Sequence, residues 1–213
     1  MIDVNHQINA VRRSVGTKML EPGEANVVTV SQSYPTDAAD LWDVCTNIAR
    51  IPRWFLPITG ELAVGGKYQL EGNANGTILT CEPPRTFTAT WEYGGDVSWI
   101  ELRIISEGDD RSRLELDHLA VVDGEHWAQF GPGAVGIGWD LGLVGLAIHL
   151  STGEALKSDF EQDWTATDDG RQFMTLASEA WYRANVAGGE DPAVARASAD
   201  RASAAYLGAD AQN

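Results

Sequence analysis

His118 is the residue whose type and spacing point most directly to chemistry. It lies in SRLELDHLAV (112–121), in phase with Leu114 and Leu116 and opposite Glu115 and Asp117. A strand here turns the imidazole toward the apolar side. An inward histidine can act as a general acid or base, or hydrogen-bond a ligand carbonyl, with its pKa tuned by burial. It can equally be a core histidine satisfied by a backbone carbonyl. His126, in a polar turn, and His149, at a helix end, are weaker candidates. The four histidines, at 6, 118, 126 and 149, show no H-x-x-x-H or E-x-x-H arrangement, so no metal site is expected. Cys45 and Cys81 lack CxxC spacing and read as free thiols. Ser98, Ser112 and Thr90 fall on strands without a G-x-S-x-G elbow, and no paired carboxylates face inward. His118 is thus a catalytic candidate without an evident nucleophile, and no cofactor is expected.

Residues 131–136, GPGAVG, satisfy G-x-G-x-x-G. A dinucleotide fingerprint needs a buried strand before it and an acidic residue ending a second strand about 20 residues on. Here VVDGEHWAQF precedes it and neither feature is present, so the match is fortuitous. The apolar run from Ala134 to Leu150 is shorter than the ~20 residues of a membrane span and is interrupted by Asp140 and His149. It reads as a largely buried helix. Ile137, Leu141, Val144 and Ile148 form one stripe, and Trp139, Leu143, Leu146 and Leu150 an adjoining one. Gly138, Gly142 and Gly145 form a third line, which implies close backbone approach or space kept beside the helix.

The elements that must position these residues are legible from alternation. Strands are expected at 27–34, 67–70, 76–82, 85–93, 98–105 and 112–121, with a short helical passage at 38–55 broken at Pro52. The links GNANG, EPPR, YGGD and EGDDR are short turn sequences, which favour an antiparallel meander. Phe87, Ala89, Trp91 and Tyr93 share a face; so do Ile100, Leu102 and Ile104, opposite Trp99, Glu101 and Arg103. Only the 134–150 helix is apolar enough to cover such a sheet. After Ser151 the texture is helical. Phe173, Leu176, Ala177, Ala180, Trp181 and Ala184 form an amphipathic stripe, and Asp191-Pro192 opens a last helix ending near Gly208. That stripe is expected to dock on the chain itself or on a partner.

The chain's 213 residues suit one sizeable domain, or one domain with an appendage. Its formal net charge of −16 is spread along the sequence and repels phosphate backbones and anionic lipid. No nucleic-acid or membrane partner is expected. MIDVNHQINAVRRSVG has polar residues every second or third position, unlike a signal peptide, so a cytoplasmic location is expected.

Taken in order, V-x-V, DLWDVCTNIARIPRWF, VGGKYQL, CEPPRTFTATWEY, LELDHLA and the G-x-G-W helix start resemble the SRPBCC (START-like) superfamily. The likeness is to the branch named for the activator of a heat-shock chaperone ATPase, and it spans roughly 25–150. It implies an α+β helix-grip fold, like that of the birch pollen allergen. In that fold a curved antiparallel sheet of six or seven strands wraps a long C-terminal helix around a cavity. Residues 1–24 then form an N-terminal arm and 151–213 a helical C-terminal extension. The cavity candidates implied are Trp54, Phe55, Tyr68, Trp91, His118, Trp127, Phe130, Trp139 and Leu143. Aromatic walls with few polar tips suit a hydrophobic or aromatic small molecule. Three functions stay open. The first is binding of such a ligand. The second is a cyclase-, dehydratase- or hydrolase-like enzyme using His118. The third is a chaperone-related interaction module, weakened by the short arm in place of the extra N-terminal domain of chaperone activators. The residues leave homodimerisation open.

Overall fold

The computed structural model describes residues 3–121, 124–156 and 160–208. Helix α1 (Val4–Ala10) leads into β1 (Arg12–Leu20) and β2 (Gly23–Tyr34). Helix α2 (Ala38–Thr46) and a 3-10 turn at Ile51–Arg53 follow. Six strands come next: β3 (Ile58–Gly60), β4 (Lys67–Leu70), β5 (Asn75–Glu82), β6 (Thr86–Tyr93), β7 (Asp96–Gly108) and β8 (Arg111–Val121). The remainder is helical: α3 (Gly124–Phe130), α4 (Gly133–Thr152), α5 (Phe160–Thr165), α6 (Asp168–Ala187) and α7 (Pro192–Tyr206). The strands form one open antiparallel sheet in the order β1-β2-β8-β7-β6-β5-β4-β3. Eight strands exceed the six or seven expected, because β1 and the short β3 lack the alternation that marks the others.

Contacts divide the chain into two compact units, one of residues 1–30, 121–141 and 157–213, the other of 31–120 and 142–156. In the second unit the meander β3–β8 follows the turn chemistry. Gly94 and Gly95, both at positive φ, link the facing pair Tyr93 and Asp96 as a two-residue hairpin turn. The register places Leu102 opposite Leu116, and Ile104 opposite Leu114, on one buried face. The opposite face carries an ion-pair ladder. Arg103 Nη2 lies 2.9 Å from Glu115 and 2.7 Å from Asp117. The charged and apolar sides thus fall where parity placed them. Trp42 of α2 meets Phe87 of β6 edge to face, with centroids 6.3 Å apart.

In the first unit Thr167 caps α6 by accepting from Gly170 N–H, and Phe173, Met174, Ala177, Trp181 and Ala184 are buried along one side. Leu176 and Ala180, expected in that stripe, are only half-buried, while Met174 is deeper. Burial of a side chain such as Phe173, 1% exposed, stabilises by about 2 kcal/mol. This stripe therefore packs within its own chain, against α7, α1 and β1. Asp191 caps α7, accepting from Ala193 N–H at 2.9 Å, with Pro192 in the first turn as expected.

Helix α4 corrects the length reading. It runs 20 residues and is long and apolar enough to cross a membrane, yet 61% of its 18-residue apolar stretch, of mean hydropathy 1.5, is buried in the protein. Asp140 on α4 is fully buried. It accepts from Nε of Arg13 at 3.0 Å and from Nε1 of Trp181 at 2.9 Å. Burial pushes its carboxyl above the usual carboxylate range, opposed by the Arg13 charge and by hydrogen bonds from Arg13 and Trp181. Beside it Gly136 is required: a Cβ there would overlap the Trp181 indole.

Candidate functional site

On the apolar face of the sheet, the β6–β7 register sets Trp91 opposite Ser98, and the β7–β8 register sets Ile100 opposite His118. Ser98 shares its face with Ile100, two residues on, so Trp91, Ser98 and His118 form one patch. The Trp91 and His118 rings meet edge to face with centroids 6.0 Å apart. His118 Nε2 lies 2.9 Å from Ser98 Oγ, which in turn lies 3.0 Å from the Trp91 carbonyl oxygen. A hydroxyl has one proton to give. That proton serves either the Trp91 carbonyl or His118 Nε2, and the tautomer of the ring follows from which one.

His118 is 5% exposed, and burial lowers its pKa to about 4. The ring is neutral at pH 7. Efficient acid–base transfer at neutral pH needs a pKa near 7, so this imidazole is a weak base. The Ser98–His118 pair has the separation of a nucleophile and its base, but the depressed pKa opposes that use. The partner of Nε2 is a serine hydroxyl. Parity with Ile100 makes Ser98 legible as inward; its pairing with His118, 20 residues away, is not a local signal.

A second cluster forms around the start of α4's second half. Trp54 and Phe55 rings lie 5.3 Å apart, and Trp54 Nε1 donates to the Val44 carbonyl at 3.0 Å. A Cβ at Gly142 would sit 3.3 Å from the Phe55 ring, and one at Gly145 would overlap the Trp54 carbonyl oxygen. Two of the three aligned glycines therefore serve close approach of the 54–55 segment. In the other unit a Cβ at Gly138 would come 3.2 Å from the Tyr206 hydroxyl. Leu143 is buried.

Tyr68 is buried on β4. Its hydroxyl donates to the Thr90 carbonyl at 2.7 Å, and burial pushes the phenol pKa up. Its polar tip is thereby tied to the sheet. Trp54, Phe55, Tyr68, Trp91, His118 and Leu143 belong to one compact unit, and Trp127, Phe130 and Trp139 to the other. The Phe130 ring lies 5.1 Å from that of His126 and lines a pocket of about 300 Å³ with Ala134, Ala202 and Tyr206. Trp127 and Trp139 are half-buried. His126, placed in a turn by the sequence, lies on α3. Among the described residues no three His, Cys, Asp or Glu side chains converge as a metal site.

Residues 35–150 match the family described as activator of Hsp90 ATPase homolog 1-like protein. CalU16 from Micromonospora echinospora, solved in solution, is 32% identical over 84% of this chain and 97% of its own, with a TM-score of 0.70. Its crystal structure gives 34% identity over 79% of this chain and 98% of its own, with a TM-score of 0.61. DynU16, a protein from the dynemicin biosynthetic locus, shares the fold. It is 18% identical over 61% of this chain and 48% of its own, with a TM-score of 0.54. No curated protein sequence matches the chain. The family match covers more than half of the sequence, the CalU16 likeness most of it, and the α+β architecture is START-like. The chain belongs to the activator of Hsp90 ATPase homolog 1-like family, within the SRPBCC superfamily.

Proposed function

We propose that the chain binds a hydrophobic or aromatic small molecule on the apolar side of the sheet, at the patch of Trp91, Ser98 and His118. One observation carries this reading: a half-buried indole borders a buried imidazole that stays neutral at pH 7. Such a patch offers an apolar wall and uncharged polar groups, and a ligand can bind there without desolvating an ion. Trp54, Phe55 and Leu143 are further candidates for the lining in the same unit. Trp127, Phe130 and Trp139 are proposed as ligand contacts of the other unit.

The enzyme reading draws on the Ser98–His118 separation and is opposed by the depressed histidine pKa. An apolar stripe of α6 open to a partner would strengthen the interaction reading. Phe173 and Trp181 are each 1% exposed, so that support is withdrawn. The test is a titration of the ¹⁵N-labelled protein with uncharged aromatic fragments, read at the Trp91 indole and the His118 ring. Saturable shifts at both residues, lost in Trp91→Ala and retuned in His118→Gln, are expected. Shifts confined to other residues, or none at millimolar fragment, would overturn the proposal.

A further inference from the structure

Exposure along the apolar face of the sheet rises toward one end on three neighbouring strands. On β6, Ala89 is fully buried, Trp91 half-buried and Tyr93 60% exposed. On β7, Ile100 is buried, Ser98 half-buried and Asp96 exposed; on β8, His118 is buried and Ala120 half-buried. Antiparallel pairing aligns these gradients, with Ala89 opposite Ile100, Trp91 opposite Ser98 and Tyr93 opposite Asp96. Toward the other end Leu102, Ile104 and Leu114 are buried, and Trp42 of α2 packs edge to face on Phe87. The face is therefore closed on the α2 side and open at the β6–β7 hairpin. Tyr93 carries the exposed aromatic surface at the open end. Alternation puts its ring on the same side as Trp91, about 7 Å further along the strand. Val97, 50% exposed on the same hairpin, falls on the opposite side.

We infer that the ligand reaches the patch from the hairpin end and is an aromatic of at least two fused or linked rings, the inner ring against Trp91 and the outer one against Tyr93. The length and direction so assigned rest on the Trp91, Ser98 and His118 patch proposed above. A single ring set on Trp91, with its polar atom at the Ser98–His118 pair, leaves Tyr93 uncovered. A second ring along the strand direction meets it, so each protein ring gains one aromatic partner at an ordinary packing distance. The order of polarity along the face fixes the orientation. An uncharged polar group goes inward, where burial penalises an ion. The outer ring stays at the solvent edge, beside the exposed Asp96, where polar substituents keep their water.

The test titrates the full chain with phenol and, separately, with 2-naphthol, read at the Trp91 indole N–H in the wild type, Tyr93→Ala and Val97→Ala. 2-Naphthol should bind the wild type more tightly than phenol. It should lose about five- to tenfold in Tyr93→Ala, the worth of one aromatic pair, and nothing in Val97→Ala. Phenol should be indifferent to both substitutions. Tyr93→Phe keeps the ring and should keep the affinity, which separates loss of the aromatic surface from any effect of alanine on the fold. Nuclear Overhauser contacts should join the hydroxyl-bearing ring of 2-naphthol to Trp91 and its other ring to Tyr93. Unchanged 2-naphthol affinity in Tyr93→Ala, an equal loss for phenol or in Val97→Ala, or the reverse ring order would overturn the inference and leave the patch standing. Absence of a saturable Trp91 shift with either compound would overturn the patch, and the inference with it.

Discussion

Replacing His118 by Gln should flatten the acid side of the stability profile. In the folded chain burial holds the imidazole pKa at about 4, while in the unfolded chain it returns to about 6.5. Between these values the unfolded state binds a proton that the folded state does not, so stability falls as pH falls. The linkage relation gives a loss of about 2 kcal/mol from pH 7 to pH 5 and about 3 kcal/mol by pH 4 from this one group. Ordinary carboxylates stay mostly ionised between pH 5 and 7, which makes that window the informative one. Urea unfolding of both proteins across the window measures the effect. The substitution lowers the overall level if the new amide packs poorly, but the quantity of interest is the slope. The wild type should lose about 2 kcal/mol more than His118→Gln on going from pH 7 to 5. Parallel profiles would refute the buried neutral histidine.

Other predictions concern packing and reactivity. Gly136→Ala gains up to about 1 kcal/mol of helix propensity but must displace Trp181 and its bond to Asp140, for a net loss of about 2–4 kcal/mol. Chemical denaturation checks it, and a stabilised variant would show that Trp181 moves freely. Asp140→Asn leaves the 5%-exposed Arg13 without its counter-ion and should cost about 3–5 kcal/mol by the same assay. In a thiol-reagent count on the native chain, half-exposed Cys81 should react, while Cys45, 6% exposed with its thiol pKa pushed up by burial, should wait for unfolding.

Much of the sheet was legible because period-2 alternation in 86–121 is a local property, and the Gly94-Gly95 turn has its own chemistry. The inward assignment of His118 follows from the same periodicity. Strand β1 was hidden: RRSVGTKML has a run of four exposed residues and no buried one anywhere, so no apolar alternation announces it. Helix α3 was hidden by polar residues that suggest a turn. The Arg13–Asp140 pair joins positions 127 apart, and Asp140 read only as an interruption of an apolar helix. The glycine line left close approach and empty space both open; the neighbours that decide for close approach, Phe55 and the Trp54 backbone, come from tertiary packing alone. Tyr68, read as a polar-tipped cavity aromatic, has its hydroxyl bonded to the Thr90 carbonyl.

Small-molecule binding is best decided by native mass spectrometry of the chain purified gently from its host, with extraction of whatever accompanies the protein. A bound hydrophobic or aromatic species of a few hundred daltons, on the order of a pocket-sized ligand, is expected. It should be released on denaturation and be absent from a Trp91→Ala variant that remains folded. An unliganded mass under several growth conditions, together with no uptake of added aromatic compounds, would overturn the small-molecule reading.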